Sequence, residues 1–397
     1  MGFPGANLSS HEETPSASKC ANLFQMTKLS FAFSSNDEVK SLTTRIIPMN
    51  LTCCSLLLSF LGSGVLTFTA PPQYHLIQEI PIGGEGGWDY LSVDTVGHRL
   101  YVSHGTKVVS VDLLKNQVAG EIAETPGVHG FAIAPELGRG FASNGREAKA
   151  SIVDLQTLKT LSKVETGENP DAILYVPGHK QVYTFNGRGH SATVFEAESG
   201  TVVATIPLPG KPEFATFDPQ TDTIYNNIED KNEVVSIDAK AHKVAQTWPI
   251  EPGEGASGMA IDLKNHRLFL GCDNKLMLMM DSTNGKVVDK VSIGEGVDAN
   301  AYDPGTQLAF ASCGDGTVTI AHEDTPHKLA VVQTLKTARG SRTMTLDPQT
   351  HRIYLAAADF EPQSQQKEGG PRQRPKMVAD TFKVLVYGIS EDTDHAK

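Results

Sequence analysis

The sequence has little positive charge, and no large basic cluster stands out in it. Among its 397 residues, 34 lysines and arginines stand against 46 aspartates and glutamates, which gives a net charge of −12. Proteins bind phosphate backbones through clustered lysines and arginines, so nucleic acid is disfavoured as a partner. With 39% apolar and 20% charged residues, the chain is too apolar to be disordered, and its apolar residues are spread too evenly for a multi-span membrane protein.

Cysteine is equally scarce. The five cysteines form no CxxC pair, no CxxCH haem motif and no Cys–His cluster with zinc spacing. Three of them lie before residue 55, which leaves Cys272 and Cys313 in the part that is expected to fold. We expect these two to be buried free thiols rather than a disulfide.

Only one long apolar run occurs, at residues 51–70, after Arg45 and before Pro71 and Pro72. A basic residue, an apolar run and small residues are typical of a secretory signal peptide, and the run is also long enough to cross a bilayer. Residues 49–70 are therefore expected to be a signal peptide or an N-terminal anchor. Residues 1–48 are expected to be an unstructured extension or to precede the true translation start. The protein is then periplasmic or secreted, and any membrane contact is through this segment.

A repeat is present in seven copies, of which WDYLSVDTVGHRLYVSH is the first and RTMTLDPQTHRIYLAA the last. Each copy has alternating apolar and polar residues, then a turn, then a second strand. The turn positions lie 40–44 residues apart, at Asp94, Ala134, Val176, Asp218, Asp262, Asp303 and Asp347. Seven residues after each turn position stands an aromatic residue: Tyr101, Phe141, Tyr183, Tyr225, Phe269, Phe310 and Tyr354. A match in every copy indicates a true internal period.

Four short strands in a unit of this length are typical of a propeller blade. The sequence therefore predicts an all-β fold, a seven-bladed β-propeller of four-stranded antiparallel blades, over residues 72–390. The last copy lacks a fourth strand, while residues 74–82 have the pattern of one. We therefore predict that the N-terminal strand completes the last blade and closes the ring. Residues 391–397 are expected to be a polar tail.

Blade seven carries an insertion between its second and third strands, at about residues 357–380. The segment is rich in Gln, Pro and Gly and contains Lys367, Arg372, Arg374 and Lys376. Its position in the blade places it over the polar face of the propeller. A lid, a partner-docking loop and a tolerated surface loop remain alternatives.

The segment GWDYLSVDTVGHRLYVSHGTKVVSVDL, residues 87–113, resembles the first repeat of YncE-like proteins, which are built from YVTN-type repeats. The resemblance covers about residues 72–390. It implies a seven-bladed β-propeller and export from a bacterial cytoplasm, and it implies no common activity. Propellers that look related include lactonases.

The repeat alignment predicts which side chains surround the mouth of the central channel. A first ring stands five residues before each turn position: Asp89, His129, Asp171, Glu213, Ser257, Asp298 and Arg342. A second ring stands ten residues after the turn positions, and its polar candidates are His104, Asn144 and Asn186. All seven members of the first ring are polar, which makes them candidate ligand-binding residues, while no catalytic residue is assigned.

The polar residues at the channel mouth are compatible with two functions from different classes. The first is a binding or scaffolding protein for a protein or small-molecule ligand, with His129 and Arg342 as the strongest binding candidates. The alternative is a lactonase-like hydrolase with an acid/base pair from Asp89, His129, Glu213 and Arg342. No cofactor is implied, although crowded carboxylates leave open a Ca²⁺ site. A water-filled channel lined by polar residues without a function is a further alternative.

Overall fold

The computed structural model describes residues 73–361 and 376–389. Within these ranges the chain forms 28 strands and two single-turn 3-10 helices, Pro135–Leu137 and Glu229–Lys231. Seven four-stranded antiparallel sheets form a ring, so the fold is the predicted seven-bladed β-propeller. In the described ranges, no helix is both long enough and apolar enough to span a membrane.

The first strand, β1 (Tyr74–Pro81), precedes six blades in which sheet order equals chain order. Blade one contains β2 (Trp88–Asp94), β3 (Arg99–His104), β4 (Lys107–Asp112) and β5 (Gln117–Ile122). Blade two contains β6 (Val128–Ala134), β7 (Arg139–Asn144), β8 (Lys149–Asp154) and β9 (Lys159–Glu165). Blade three contains β10 (Pro170–Val176), β11 (Gln181–Asn186), β12 (Ser191–Glu196) and β13 (Val202–Pro207).

The next three blades repeat this order. Blade four contains β14 (Pro212–Asp218), β15 (Thr223–Ile228), β16 (Glu233–Asp238) and β17 (Lys243–Pro249). Blade five contains β18 (Ala256–Asp262), β19 (Arg267–Cys272), β20 (Leu276–Asp281) and β21 (Lys286–Ser292). Blade six contains β22 (Val297–Asp303), β23 (Leu308–Cys313), β24 (Thr317–Thr325) and β25 (Lys328–Lys336).

Blade seven combines the two ends of the described chain. It contains β26 (Met344–Asp347), β27 (Arg352–Ala357) and β28 (Lys383–Ile389), and β1 is its outermost strand. β1 runs antiparallel to β28, with Tyr74 opposite Ile389 and Pro81 opposite Lys383. The inner strands β26 and β2 contact each other, so the last blade lies beside the first.

The aspartates at the turn positions shape the connection between the first two strands of a blade. In blade one, a carboxylate oxygen of Asp94 accepts hydrogen bonds from the backbone N–H groups of Val96 and Gly97. The other aspartates at this position make the same kind of turn, which the side chains of Asp and Asn favour. Four residues after each turn position the backbone has a positive φ in all seven copies: His98, Gly138, Lys180, Asp222, His266, Gln307 and His351.

The apolar side chains pack between blades. The described residues contain seven buried apolar clusters, and each is shared by two neighbouring blades, including the pair formed by blades seven and one. The repeated aromatic residues lie in these clusters, and two of the tyrosines, Tyr183 and Tyr225, also link neighbouring blades by hydrogen bonds. The Tyr183 hydroxyl donates to the carbonyl of Ala239 in the next blade, 2.8 Å away. A single blade has no other way to bury both faces, which is why the repeat requires a ring.

Several predictions from the sequence fall outside the described residues. These are the leader through residue 72, the centre of the blade-seven insertion with Lys367, Arg372 and Arg374, and the polar tail. The ends of the insertion are described: Phe360 pairs with Met377, and the Lys376 ammonium lies 2.7 Å from Glu361. Cys272 and Cys313 are buried free thiols, as expected.

Candidate functional site

All seven residues of the first ring line one cavity. In blades one to six the ring residue is the second residue of the innermost strand, and Arg342 lies two residues before β26. Together with Tyr90, Lys211 and Glu229, they surround a cavity of about 240 Å³, which we call the axial cavity. The repeat register therefore places one polar side chain from every blade around the same space.

In three blades, the second-to-last residue of the second strand, a serine or an asparagine, contacts the backbone of a first-ring residue in the next blade. The Ser143 hydroxyl contacts the Asp171 carbonyl of the next blade and accepts a hydrogen bond from the Gly130 N–H, 2.9 Å away. The equivalent Asn227 amide donates to the Ser257 carbonyl, and the equivalent Ser312 hydroxyl donates to the Arg342 carbonyl. Three of the seven ring residues, Asp171, Ser257 and Arg342, are thus fixed from the blade before them.

We expect Ser143→Ala to lower the free energy of unfolding by about 1–3 kcal/mol, because it leaves a buried carbonyl and a buried N–H with fewer partners. Ser103 is a matched control: it occupies the same position in blade one, is equally buried, and its hydroxyl has no partner within the described residues. Ser103→Ala should therefore have little effect. Urea unfolding of both variants checks this, and equal losses would contradict it.

The closest group in the cavity is formed by Asp89, His129 and Asp171 from three neighbouring blades. The His129 Nδ1 lies 2.6 Å from a carboxylate oxygen of Asp89 and 3.7 Å from one of Asp171. Burial lowers the pKa of His129, but the hydrogen bond to Asp89 and the charge of Asp171 outweigh it and raise this pKa to about 9. The imidazole is therefore protonated at neutral pH.

Two further charged groups complete the cavity. The Lys211 ammonium lies 2.6 Å from a carboxylate oxygen of Glu213 and also contacts Glu229. The Arg342 Nε lies 3.1 Å from a carboxylate oxygen of Asp298. Burial raises the pKa of Glu213, and the nearby charge of Asp171 adds to this effect. Burial also raises the pKa of Asp298 to about 7, although the Arg342 charge acts in the opposite direction.

One aromatic ring, that of Tyr90, also lines the axial cavity. The Tyr90 and Phe214 rings meet edge to face with their centroids 5.4 Å apart, and both line a second, largely apolar cavity of about 60 Å³. Burial raises the pKa of the Tyr90 hydroxyl well above its usual value, and the charge of Asp171 raises it further. Tyr90 thus lines both the axial cavity and the smaller apolar cavity.

Two residues of the axial cavity, Lys211 and Glu229, are not among those predicted from the sequence. Lys211 stands seven residues before its turn position, where five of the other copies have Gly and one has Asn169. Glu229 stands eleven residues after its turn position, where four copies have Gly. Charged residues that replace Gly at two positions of one repeat were the signal that would have identified them.

The second ring does not reach the axial cavity. His104, Asn144 and Asn186 are all almost completely buried. The Asn144 amide donates to the Ser151 hydroxyl, and the Asn186 amide donates to Ser191 and Thr193. The His104 ring stacks on Phe382 with centroids 4.1 Å apart, and burial lowers its pKa. The last side chain of each second strand points into the packed interior of the fold, which is why these residues do not line the mouth.

The axial cavity combines five carboxyl groups with three cationic side chains. Its excess of acidic groups favours a ligand that brings positive charge or hydrogen-bond donors. Carboxyl groups with raised pKa values, such as Asp298, hold or release protons near neutral pH, which is the property of a general acid or base.

Comparisons with known proteins inform the fold alone. Neither the protein-family models nor the curated proteins include a match to this chain. Among solved structures, the chain is similar to a chain of the Kuenenia stuttgartiensis hydrazine synthase, with a TM-score of 0.61 and 17% identity. The match covers 69% of this chain and 94% of that one. At this identity the similarity supports the propeller architecture and transfers no activity.

Proposed function

We propose that this chain is an exported, YncE-like propeller with YVTN-type repeats that binds a small polar ligand in the axial cavity. The observation that carries the proposal is the convergence of one polar side chain from each of the seven blades on a cavity of about 240 Å³. This volume lies below the range of about 300–1,000 Å³ that is usual for drug-sized ligands, so the ligand is small. The apolar run at residues 51–70 supports export to the periplasm or beyond.

The charge of the cavity favours a ligand with a cationic or hydrogen-bond-donating group. Three of its carboxyl groups have pKa values that burial raises, which means that solvent does not stabilise their charges well. An ammonium group or several hydroxyl groups would stabilise them in place of water. This chemistry fits polyamines, amino compounds and uncharged polyhydroxylated lactones better than it fits apolar molecules.

A thermal-shift experiment on the full chain in EDTA tests the proposal. The probes are putrescine, arginine and δ-gluconolactone. A ligand that binds only the folded state at 100 times its Kd adds about 2.7 kcal/mol, which raises the melting temperature by several degrees. We expect at least one probe to do so, with the shift lost in Asp298→Ala and retained in Asp222→Asn, a control outside the cavity. The proposal is wrong if no probe raises the melting temperature.

Hydrolysis of a small lactone is the second candidate, and the Asp298–Arg342 pair favours it. A carboxylate near its pKa at neutral pH takes a proton from water as the oxygen attacks the lactone carbonyl. The ring C–O bond then breaks, the leaving oxygen takes up the proton, and a hydroxy acid forms. Arg342, whose Nε lies 3.1 Å from Asp298, would stabilise the negative oxygen of the intermediate. Base consumption with δ-gluconolactone, measured against Asp298→Asn, separates this activity from binding alone.

A further inference from the structure

We propose that Asp89, His129 and Asp171 form a binding site for one divalent transition-metal ion such as Zn²⁺, with an open coordination position toward the axial cavity. One nitrogen and two carboxylate oxygens from these residues all lie within 4.8 Å of one another. The inference rests on the proposed function, because the ion lies in the same cavity as the proposed ligand.

The distances in this group require only small adjustments. Zn²⁺ binds nitrogen and carboxylate oxygen at about 2.0–2.2 Å, so atoms that share one ion lie about 3–4 Å apart. The His129 Nδ1 is already 3.7 Å from a carboxylate oxygen of Asp171. Its 2.6 Å contact with Asp89 lengthens by about 1 Å, which a rotation of the carboxylate achieves.

The backbone that carries the three ligands is fixed from two sides. The Ser92 hydroxyl of blade one contacts the Phe131 carbonyl of blade two, two residues after His129. The Ser143 hydroxyl of blade two contacts the carbonyl of Asp171 in blade three. Because these contacts join the same three blades that supply the ligands, the spacing of the ligands is set before an ion arrives.

The imidazole is also held in the orientation that the site needs. A Cβ atom at Gly145 would lie only 2.6 Å from the His129 Nε2, so the ring packs closely against this glycine. The close packing directs Nε2 toward Gly145 and leaves Nδ1 facing the two carboxylates. Any side chain at position 145 would push the ring away from Asp89 and Asp171.

The ligand set selects the class of metal. Ca²⁺ takes six to eight oxygen ligands and Mg²⁺ prefers oxygen in an octahedron, whereas a nitrogen with two carboxylates suits Zn²⁺ and similar ions. Three protein ligands leave one position for water or for a group of the bound ligand. The ion would then supply the positive charge that the acidic cavity favours, at a fixed point next to the ligand.

Calorimetric titration of the full, metal-free chain with Zn²⁺ tests the site. We expect one equivalent to bind, with affinity at least about 100-fold lower in His129→Gln and in Asp171→Asn, because loss of a residue that merely supports a ligand already costs about 10–100-fold. The matched control is Asp222→Asn, because His179 and Asp222 form a pair at 2.8 Å with a single carboxylate outside the cavity. Circular dichroism establishes that the variants are folded. Co²⁺ in place of Zn²⁺ should give a visible absorption that His129→Gln abolishes.

The outcomes separate the metal site from the proposed function. Binding that the two cavity variants retain shows an ion elsewhere and overturns the inference, and so does the absence of binding in the unchanged chain. If Zn²⁺ does not bind while an organic probe still raises the melting temperature in EDTA, only the metal site is wrong. If neither binds, the proposed function is wrong as well.

Discussion

Deletion of residues 73–81 is expected to lower the melting temperature by about 10 °C or more, or to abolish cooperative unfolding. This segment contains β1, which pairs along its whole length with β28 in blade seven. Tyr74 and Ile80 are almost fully buried, and each contributes about 1.5–3 kcal/mol through burial of apolar surface. Without β1, strand β28 becomes the exposed edge of blade seven, and exposed strand edges favour aggregation. Calorimetry and light scattering measure both effects.

Point variants separate the contribution of the strand from the effect of shortening the chain. The Tyr74 ring packs edge to face on Phe310 at 5.2 Å, and its hydroxyl donates to the His351 carbonyl at 2.8 Å. Tyr74→Ala should cost about 3–5 kcal/mol, whereas Tyr74→Phe should cost about 1 kcal/mol for the hydrogen bond. Leu76→Ala is the control, since that side chain is 44% exposed. If Tyr74→Ala lowered stability as little as Leu76→Ala does, the packing of β1 would contribute little to stability.

The fold was predictable because the same local rules recur in every blade. Aspartates such as Asp94 and Asp347 form the same side-chain turn, and an aromatic residue seven positions later enters the interface between blades. Each of these signals is weak in a single copy. Their recurrence at 40–44 residues determines the strand register and hence the side of each strand that faces the channel.

The strand register predicts which residues line the candidate site, but it does not predict which of them contact each other. The alternation of a strand assigns the seven ring residues to one side, and the structure brings all of them to one cavity. The alternation does not predict that Asp89 pairs with His129 while Asp298 pairs with Arg342, because such contacts depend on strand curvature and side-chain rotation. The burial of His104 was missed for a related reason: residues at strand ends point into the interior of the fold.

Replacing Asp298 with Asn is expected to raise the free energy of unfolding at pH 8, by an amount on the order of a few kcal/mol. Burial raises the pKa of this carboxyl from 3.8 to about 7, so its charged form is unfavourable in the folded protein. Asn has a similar shape and carries no charge. The variant therefore removes a cost that the unchanged protein bears whenever Asp298 is ionised.

The direction of the pH dependence follows from the two pKa values. Between about pH 4 and pH 7 the folded protein holds a proton on Asp298 that the unfolded chain has released. Stability contributed by this group is therefore complete below the unfolded pKa and falls by about 1.4 kcal/mol per pH unit until the folded pKa is reached. Above pH 7 both states are ionised and the contribution is constant. The advantage of Asp298→Asn should thus grow from pH 4 to pH 7 and then level off.

Urea unfolding at pH 4, 6 and 8 in EDTA measures this difference, with Asp359→Asn as a control at an exposed carboxylate. A loss of stability in Asp298→Asn at pH 8 would show that the ion pair with Arg342 outweighs the cost of burial. We also expect the variant to lose the thermal shift produced by a cavity ligand. Both results together would mean that the buried charge of Asp298 lowers the stability of the free propeller and is needed for ligand binding. Such a trade-off between stability and activity is expected of a functional site.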